Sequence, residues 1–141
     1  MIITQPKELI GAFVNIKQGW PASASWGNFN ALGLVRNGTL VAGVIYNCYE
    51  GANVNMHISA VDGCRWLTQD FLFAAFDYPF NELSKRRVTA FMRSKNARAI
   101  KFVKKLGFVH EGTMPNYYAD DDAVVYGLLR ENCRFLMRKA A

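Results

Sequence analysis

The sequence predicts an α/β (α+β) domain in which helices flank a mixed sheet. Three observations lead there. Apolar residues recur at helical spacing in three segments, strand-like runs separate those segments, and the order is helix, three strands, helix, strand, helix, two strands. At 141 residues the chain reads as one domain spanning residues 1–141. That length lets a single core bury roughly two-thirds of the unfolded surface.

The first helix is expected over residues 6–18. Pro6 suits an early helical position, and Leu9, Ile10, Phe13, Val14 and Ile16 supply its apolar side. "GWPASASWGNF" breaks the periodicity and reads as a loop. "FNALGLVR" and "TLVAGVIYN" then flank Asn37-Gly38, a strong hairpin signal because a type I′ turn needs positive φ at both central residues. In the third strand, "NVNMHISAV", Val54, Met56, Ile58 and Ala60 alternate with Asn53, Asn55, His57 and Ser59, giving one apolar and one polar face.

Residues 65–78 return to helical spacing, with Leu67, Phe71, Ala74, Ala75 and Tyr78 on the inner side and Pro79 as the stop. "RRVTAFM" is the next strand. A third helix follows, with Asn96 as N-cap, Ala99, Phe102, Val103 and Leu106 on one face, and Gly107 as the left-handed residue that ends it. "FVHEGTM" and "AVVYGLLR" close the sheet around a polar loop, "PNYYADDD".

Composition narrows the function classes. Half the residues are apolar (51%) and a fifth are charged (20%), as in globular proteins. No apolar run is long enough to span a bilayer, and "MIITQPKELIGAF" lacks the basic-then-apolar order of a signal peptide, so no membrane partner is expected. Cys48, Cys64 and Cys133 form no Cys-x-x-Cys pair, which indicates neither a disulfide framework nor a zinc site and points to a reducing cytoplasm. The net charge is +6, and residues 85–105 hold nine Lys or Arg and no acid. Such a block attracts phosphate, in a nucleic acid or a phosphorylated cofactor, and is equally a solvated basic face.

Asn96-x-x-Ala99, then Leu106-Gly107-Phe108, then Glu111-Gly112 resembles the N-x-x-A/S … L-G-F-x-x-E-G signature of GCN5-related N-acetyltransferases. Phe80-x-x-Leu83-x-x-x-Arg87-Val88 resembles that family's link between its central helix and the next strand. The flavour is that of the subgroup acetylating ribosomal-protein amino termini and of small phage-encoded domains. The resemblance covers about residues 80–131. It implies a mostly antiparallel GNAT-like sheet, acetyl coenzyme A as cosubstrate, and a primary amine as acceptor: a small molecule, a protein amino terminus or a lysine. It leaves a homodimer open. Asn96 and Ala99 would lie against the cosubstrate, and main-chain N–H groups of the strand before the central helix, around Ile58, Ala60 and Val61, would polarise the thioester carbonyl.

The chain departs from the family in two places. Counted without gaps, the glycines that let main-chain N–H groups approach the pyrophosphate fall on Cys64 and Trp66; Gly63 lies beside them out of register, and Arg65 offers a guanidinium instead. Where many relatives carry a tyrosine that protonates the leaving thiolate, this chain has Val103.

For removal of the amine's proton, His57 leads on its near-neutral intrinsic pKa and its place on the polar face, followed by Glu50 and Glu111. Asp120, Asp121 and Asp122 read as a solvated hairpin tip rather than a metal site, and Tyr117 and Tyr118 either line an acceptor groove or pack. With no Gly-x-Ser-x-Gly elbow, direct attack of the amine is expected over an acyl-enzyme. Two alternatives stand beside this reading. One is a degenerate binding module of the same fold; the other is a basic nucleic-acid-binding module, against which Phe102 sits on an apolar stripe.

Overall fold

Asn37 and Gly38 take φ of 52° and 76° and fold strand β2 (Phe29–Arg36) back on β3 (Thr39–Glu50), as their turn chemistry requires. The structure is a computed structural model and describes residues 1–136, so the last five residues of the expected domain lie outside it. Ahead of the hairpin come a short strand β1 (Ile2–Ile3) and helix α1 (Lys7–Lys17). After it come β4 (Asn53–Ala60), α2 (Gln69–Asp77), β5 (Arg87–Arg93), α3 (Ala97–Leu106), β6 (Val109–Tyr118) and β7 (Asp121–Leu129). The seven strands form one sheet in the order β1-β2-β3-β4-β5-β7-β6. Every neighbouring pair is antiparallel except β4 and β5, which run parallel because the chain crosses over through α2. The expected mixed, mostly antiparallel sheet flanked by helices is thus the one present.

Strand alternation divides the core between the two faces. Ile45 and Ala31 meet Ile10 and Val14 of α1, whereas Val44, Tyr46, Val54 and Met56 point the other way, onto Phe71, Phe76 and Phe80. Phe135, near the end of the described chain, stacks on Phe76 at 5.3 Å and closes that side.

Three expectations need correction. In α1, Leu9 and Ile16 are 58% and 61% exposed; the buried stripe is Ile10, Gly11, Val14 and Asn15. The small and polar members belong there because the helix holds the following loop. A Cβ on Gly11 would stand 3.1 Å from the Trp26 ring, and the Asn15 amide donates to the carbonyls of Ala22 and Ala24.

The second helix starts at Gln69, not at Arg65, because the Thr68 hydroxyl caps it by accepting from Phe71 N–H. Leu67 is consequently exposed. Pro79 does not stop the helical path either; it enters the first turn of a π-helical segment, Tyr78–Glu82, where its missing N–H is not needed.

The third correction concerns the polar stretch 115–122. It is not a loop. β6 and β7 run through it to a tight turn at Ala119 and Asp120, helped by Asn116, which adopts φ 54° and donates its N–H to the Asp122 carboxylate. α3 forms as expected: Asn96 Oδ1 accepts from Ala99 N–H at 3.1 Å and Gly107 takes φ 104°. Among the described residues, no helix is long and apolar enough to cross a membrane.

Candidate active site

The parallel pair at the centre of the sheet holds for only three residue pairs, Asn53 with Arg87, Val54 with Val88 and Asn55 with Thr89. Beyond them β4 and β5 part. Successive N–H groups along a strand point to opposite sides. Because Val61 N–H donates to Val41 O at 2.8 Å, the same parity puts the N–H groups of Ser59 and His57 on the β3 side. Those of Ile58 and Ala60 therefore face the gap. Of the main-chain donors expected at Ile58, Ala60 and Val61, the Val61 N–H is engaged by β3 and the other two face away from it, Ile58 lining the cleft there and Ala60 lying beyond its lining.

A cleft of about 260 Å³ fills this opening. Ile58 and His57 line it from β4, Phe91 from β5, and Asn96, Ala99 and Phe102 from α3. Asn96 thus serves as cap through its carbonyl oxygen and still borders the cleft, and both expected cosubstrate-side residues of α3 are brought there. Val103 also lines it, with no hydroxyl to offer.

His57 stands where the cleft meets a second pocket. Its ring lies 4.9 Å from Trp26 and 5.6 Å from Phe91, centroid to centroid, and its Nε2 is 3.1 Å from Asn47 Oδ1. The amide oxygen only accepts, so Nε2 carries the proton and donates. Desolvation between the two aromatic rings lowers the His57 pKa from 6.5 to about 4, which keeps the imidazole neutral through the physiological range.

The second pocket, about 370 Å³, opens on the α1 side of the sheet and shares Gln18, Trp20, His57, Phe91 and Tyr118 with the cleft. Two cavities from opposite faces therefore meet at His57 and Phe91, through the place where the sheet parts. Sequence patterning missed Trp20, Trp26 and Asn47 as site residues. The usable signal for Asn47 was the turn at Gly51 and Ala52 between β3 and β4, whose register pairs Asn47 with Asn55, two residues before His57.

The segment from Val61 to Thr68 links β4 to the N-terminus of α2. Gly63 takes φ 74° with open space around it, and Arg65 is exposed, with no hydrogen-bond or ion-pair partner among the described residues. Together with Cys64, Trp66 and Leu67 they line a shallow depression of about 330 Å³. The Trp66 ring turns inward onto Phe71 and Phe102, at 6.1 and 5.3 Å, and does not line the central cleft.

Other expected participants are placed elsewhere. Glu50 is exposed at the end of β3 and lines none of these cavities. Glu111 pairs with Arg87 across β7, over Gly127, where any Cβ would collide with both side chains. The acidic tip is not simply solvated: Asp120 pairs with Arg93, and Asp121 accepts from the Ser94 hydroxyl and Lys95 N–H, bonds that lower its pKa. Among the described residues, no group of three potential ligands is placed to hold a metal. The basic block is likewise dispersed. Lys85 donates to Gly51 O, Arg87 and Arg93 are paired as above, and Arg98 pairs with Asp62 at 2.8 Å.

No family model matches the chain, and no curated protein matches it. Solved structures do. A spermidine N-acetyltransferase from Vibrio cholerae (an F149A mutant) superposes with TM-score 0.74 at 13% identity, covering 96% of this chain and 97% of that one. A ribosomal-protein-alanine N-acetyltransferase from Brucella melitensis gives TM-score 0.68 at 14% identity, covering 92% and 99%. A protein named Probable acetyltransferase gives 0.64 at 20% identity over 74% of this chain, which spans 63% of that protein's length. At these identities the likeness speaks for architecture: the chain is folded as N-acetyltransferases are.

Proposed function

We propose that the protein is an N-acetyltransferase of the GCN5-related type, transferring an acetyl group from acetyl coenzyme A to a primary amine by direct attack. One observation carries this reading: the cleft between β4 and β5 and the pocket on the α1 side meet at His57 and Phe91, so two reactants entering from opposite faces converge there.

The residues present suit the cosubstrate in part. The gap between the strands presents the Ile58 N–H group to a ligand in the cleft, with that of Ala60 further along the same edge, and such fixed donors stabilise charge developing on a thioester oxygen. Arg65 and the α2 N-terminus, nine residues of helix capped at Thr68, supply positive potential for phosphate where the glycine-rich cradle is lacking. Gly63, with positive φ and free space, allows close approach of an anion to that loop.

Acetyl coenzyme A supplies an activated thioester. The amine lone pair forms the C–N bond, the C–S bond breaks with its electrons going to the thiolate, the nitrogen's surplus proton passes to water, and the thiolate takes a proton from water, leaving an amide and a free thiol. His57, neutral and enclosed, is a poor sink for that proton. An alkylammonium of pKa about 10 would give it up against roughly 8 kcal/mol. Its part is instead to accept a hydrogen bond from an amine that enters already deprotonated, held in orientation by Asn47. The three free cysteines suit a reducing cytoplasm.

A second reading has an observation of its own. Trp66, packed on Phe71 and Phe102, takes up space between α2 and α3 beside the phosphate loop, as expected of a degenerate binding module. Calorimetry with coenzyme A separates the two. Micromolar binding that weakens about tenfold in Arg65→Ala supports the enzyme; absence of binding leaves the module.

A further inference from the structure

The α1-side pocket differs in chemistry from a site for a polycation. Its wall is a continuous run of rings: Trp26 to His57 at 4.9 Å, His57 to Phe91 at 5.6 Å, Phe91 to Tyr117 at 5.2 Å, and Tyr117 to Tyr118 at 5.0 Å. The remaining polar lining is amide and hydroxyl, with Asn47 and Asn55 on its floor. Among the described residues, no Asp or Glu lines it. The charged residues that line the adjoining cleft are cationic: Lys17 and Arg93, the latter lying 4.3 Å over the Tyr118 ring and already paired with Asp120.

The wall is also fixed before any ligand arrives. Trp26 Nε1 donates to Gly11 O at 3.1 Å, its ring fits the space that the missing Cβ of Gly11 provides, and its carbonyl accepts from Asn47. A preformed aromatic slot loses little entropy on binding a flat apolar group, and offset or edge-to-face ring contacts add about 0.5–1.5 kcal/mol each. A triamine brings further ammonium groups that must shed water without a carboxylate to receive them.

We infer that the acceptor is an aromatic primary monoamine, its ring seated against Trp26 and Phe91 and its amine directed to the junction with the cleft, and that polyamines are rejected. This rests on the acetyltransferase reading above. The same chemistry is offered by a free arylalkylamine or by the first residue of a peptide that begins with an aromatic amino acid.

The test compares phenethylamine, a Phe-initiated tripeptide and spermidine on the full chain, by thiol release from acetyl coenzyme A and by calorimetry with and without coenzyme A. Expected is a kcat/KM at least tenfold higher for phenethylamine or the tripeptide than for spermidine, the better of the two identifying the source. Trp26→Leu should lower that ratio, and Asn55→Asp, which adds a carboxylate to the floor, should raise spermidine's share several-fold. Spermidine as the equal or better acceptor overturns the inference. So does coenzyme A binding with no saturable binding of either aromatic amine, a result that leaves the acetyltransferase reading standing. Failure of coenzyme A to bind removes that reading, and binding of phenethylamine alone still decides the character of the pocket.

Discussion

His57 titrates according to its surroundings, not its type. Desolvation depresses its folded pKa to about 4, below the unfolded value of 6.5, so the fold favours the neutral ring. The resulting stability is present in full above about pH 6.5 and is lost as pH falls from there through about 4, on the order of 3 kcal/mol at completion. Denaturant unfolding followed across that window should show the loss, and His57→Gln should flatten it. Activity should follow the acceptor instead: kcat/KM rises about tenfold per pH unit below the pKa of the amine, with no break near 6.5. A break there that disappears in His57→Gln would make His57 the base after all. The amino-acid type suggested a site near neutrality; only the rings of Trp26 and Phe91, distant in sequence, reveal how far the environment moves it.

At the level of single elements, short-range chemistry was readable and long-range contact was not. Asn37-Gly38 and the Asn96 to Gly107 helix were plain from the sequence because both rest on local backbone geometry. The start of α2 was misplaced since Leu67 matches the helical period, while the capping hydroxyl of Thr68 decides the boundary. Leu9 and Ile16 were assigned inward on hydrophobicity alone, but the packing of Trp26 and the loop against α1 selects Gly11 and Asn15. Asn96→Ala should cost about 1 kcal/mol through loss of the cap, measured by chemical denaturation. In the sheet, Gly127→Ala should displace Arg87 from Glu111, so that Glu111→Gln costs measurably less in the Gly127→Ala background than alone. Additive effects in that double-mutant cycle would mean that the pair tolerates a methyl group. Those two residues belong to separate stretches of the sequence and meet over a third strand, β7.

For the molecule as a whole, the sequence told the class of sheet and the order of its elements but not where the sheet parts, since nothing in "NVNMHISAV" or "RRVTAFM" marks Met56 and Ala90 as the first residues past the β4–β5 pairing. The nine Lys or Arg of residues 85–105 left phosphate binding and a solvated face equally open in the sequence. Once Lys85, Arg87, Arg93 and Arg98 are bonded to four different parts of the fold, what remains on α3 is an ordinary solvated basic face. Nucleic-acid retention should therefore vanish at physiological salt, and a complex persisting there in a gel-shift assay would contradict this.

Three residue pairs join β1 through β4 to β5 through β7. As a sheet, then, the molecule is two leaves on a short seam over a shared core, and the amides of Ile58 and Ala60 lie on the lip of one leaf. Anything lodged between the lips acts as a missing rung, so deuterium uptake at those two amides should slow on loading while the seam itself, at Val54 and Val88, stays as protected as before.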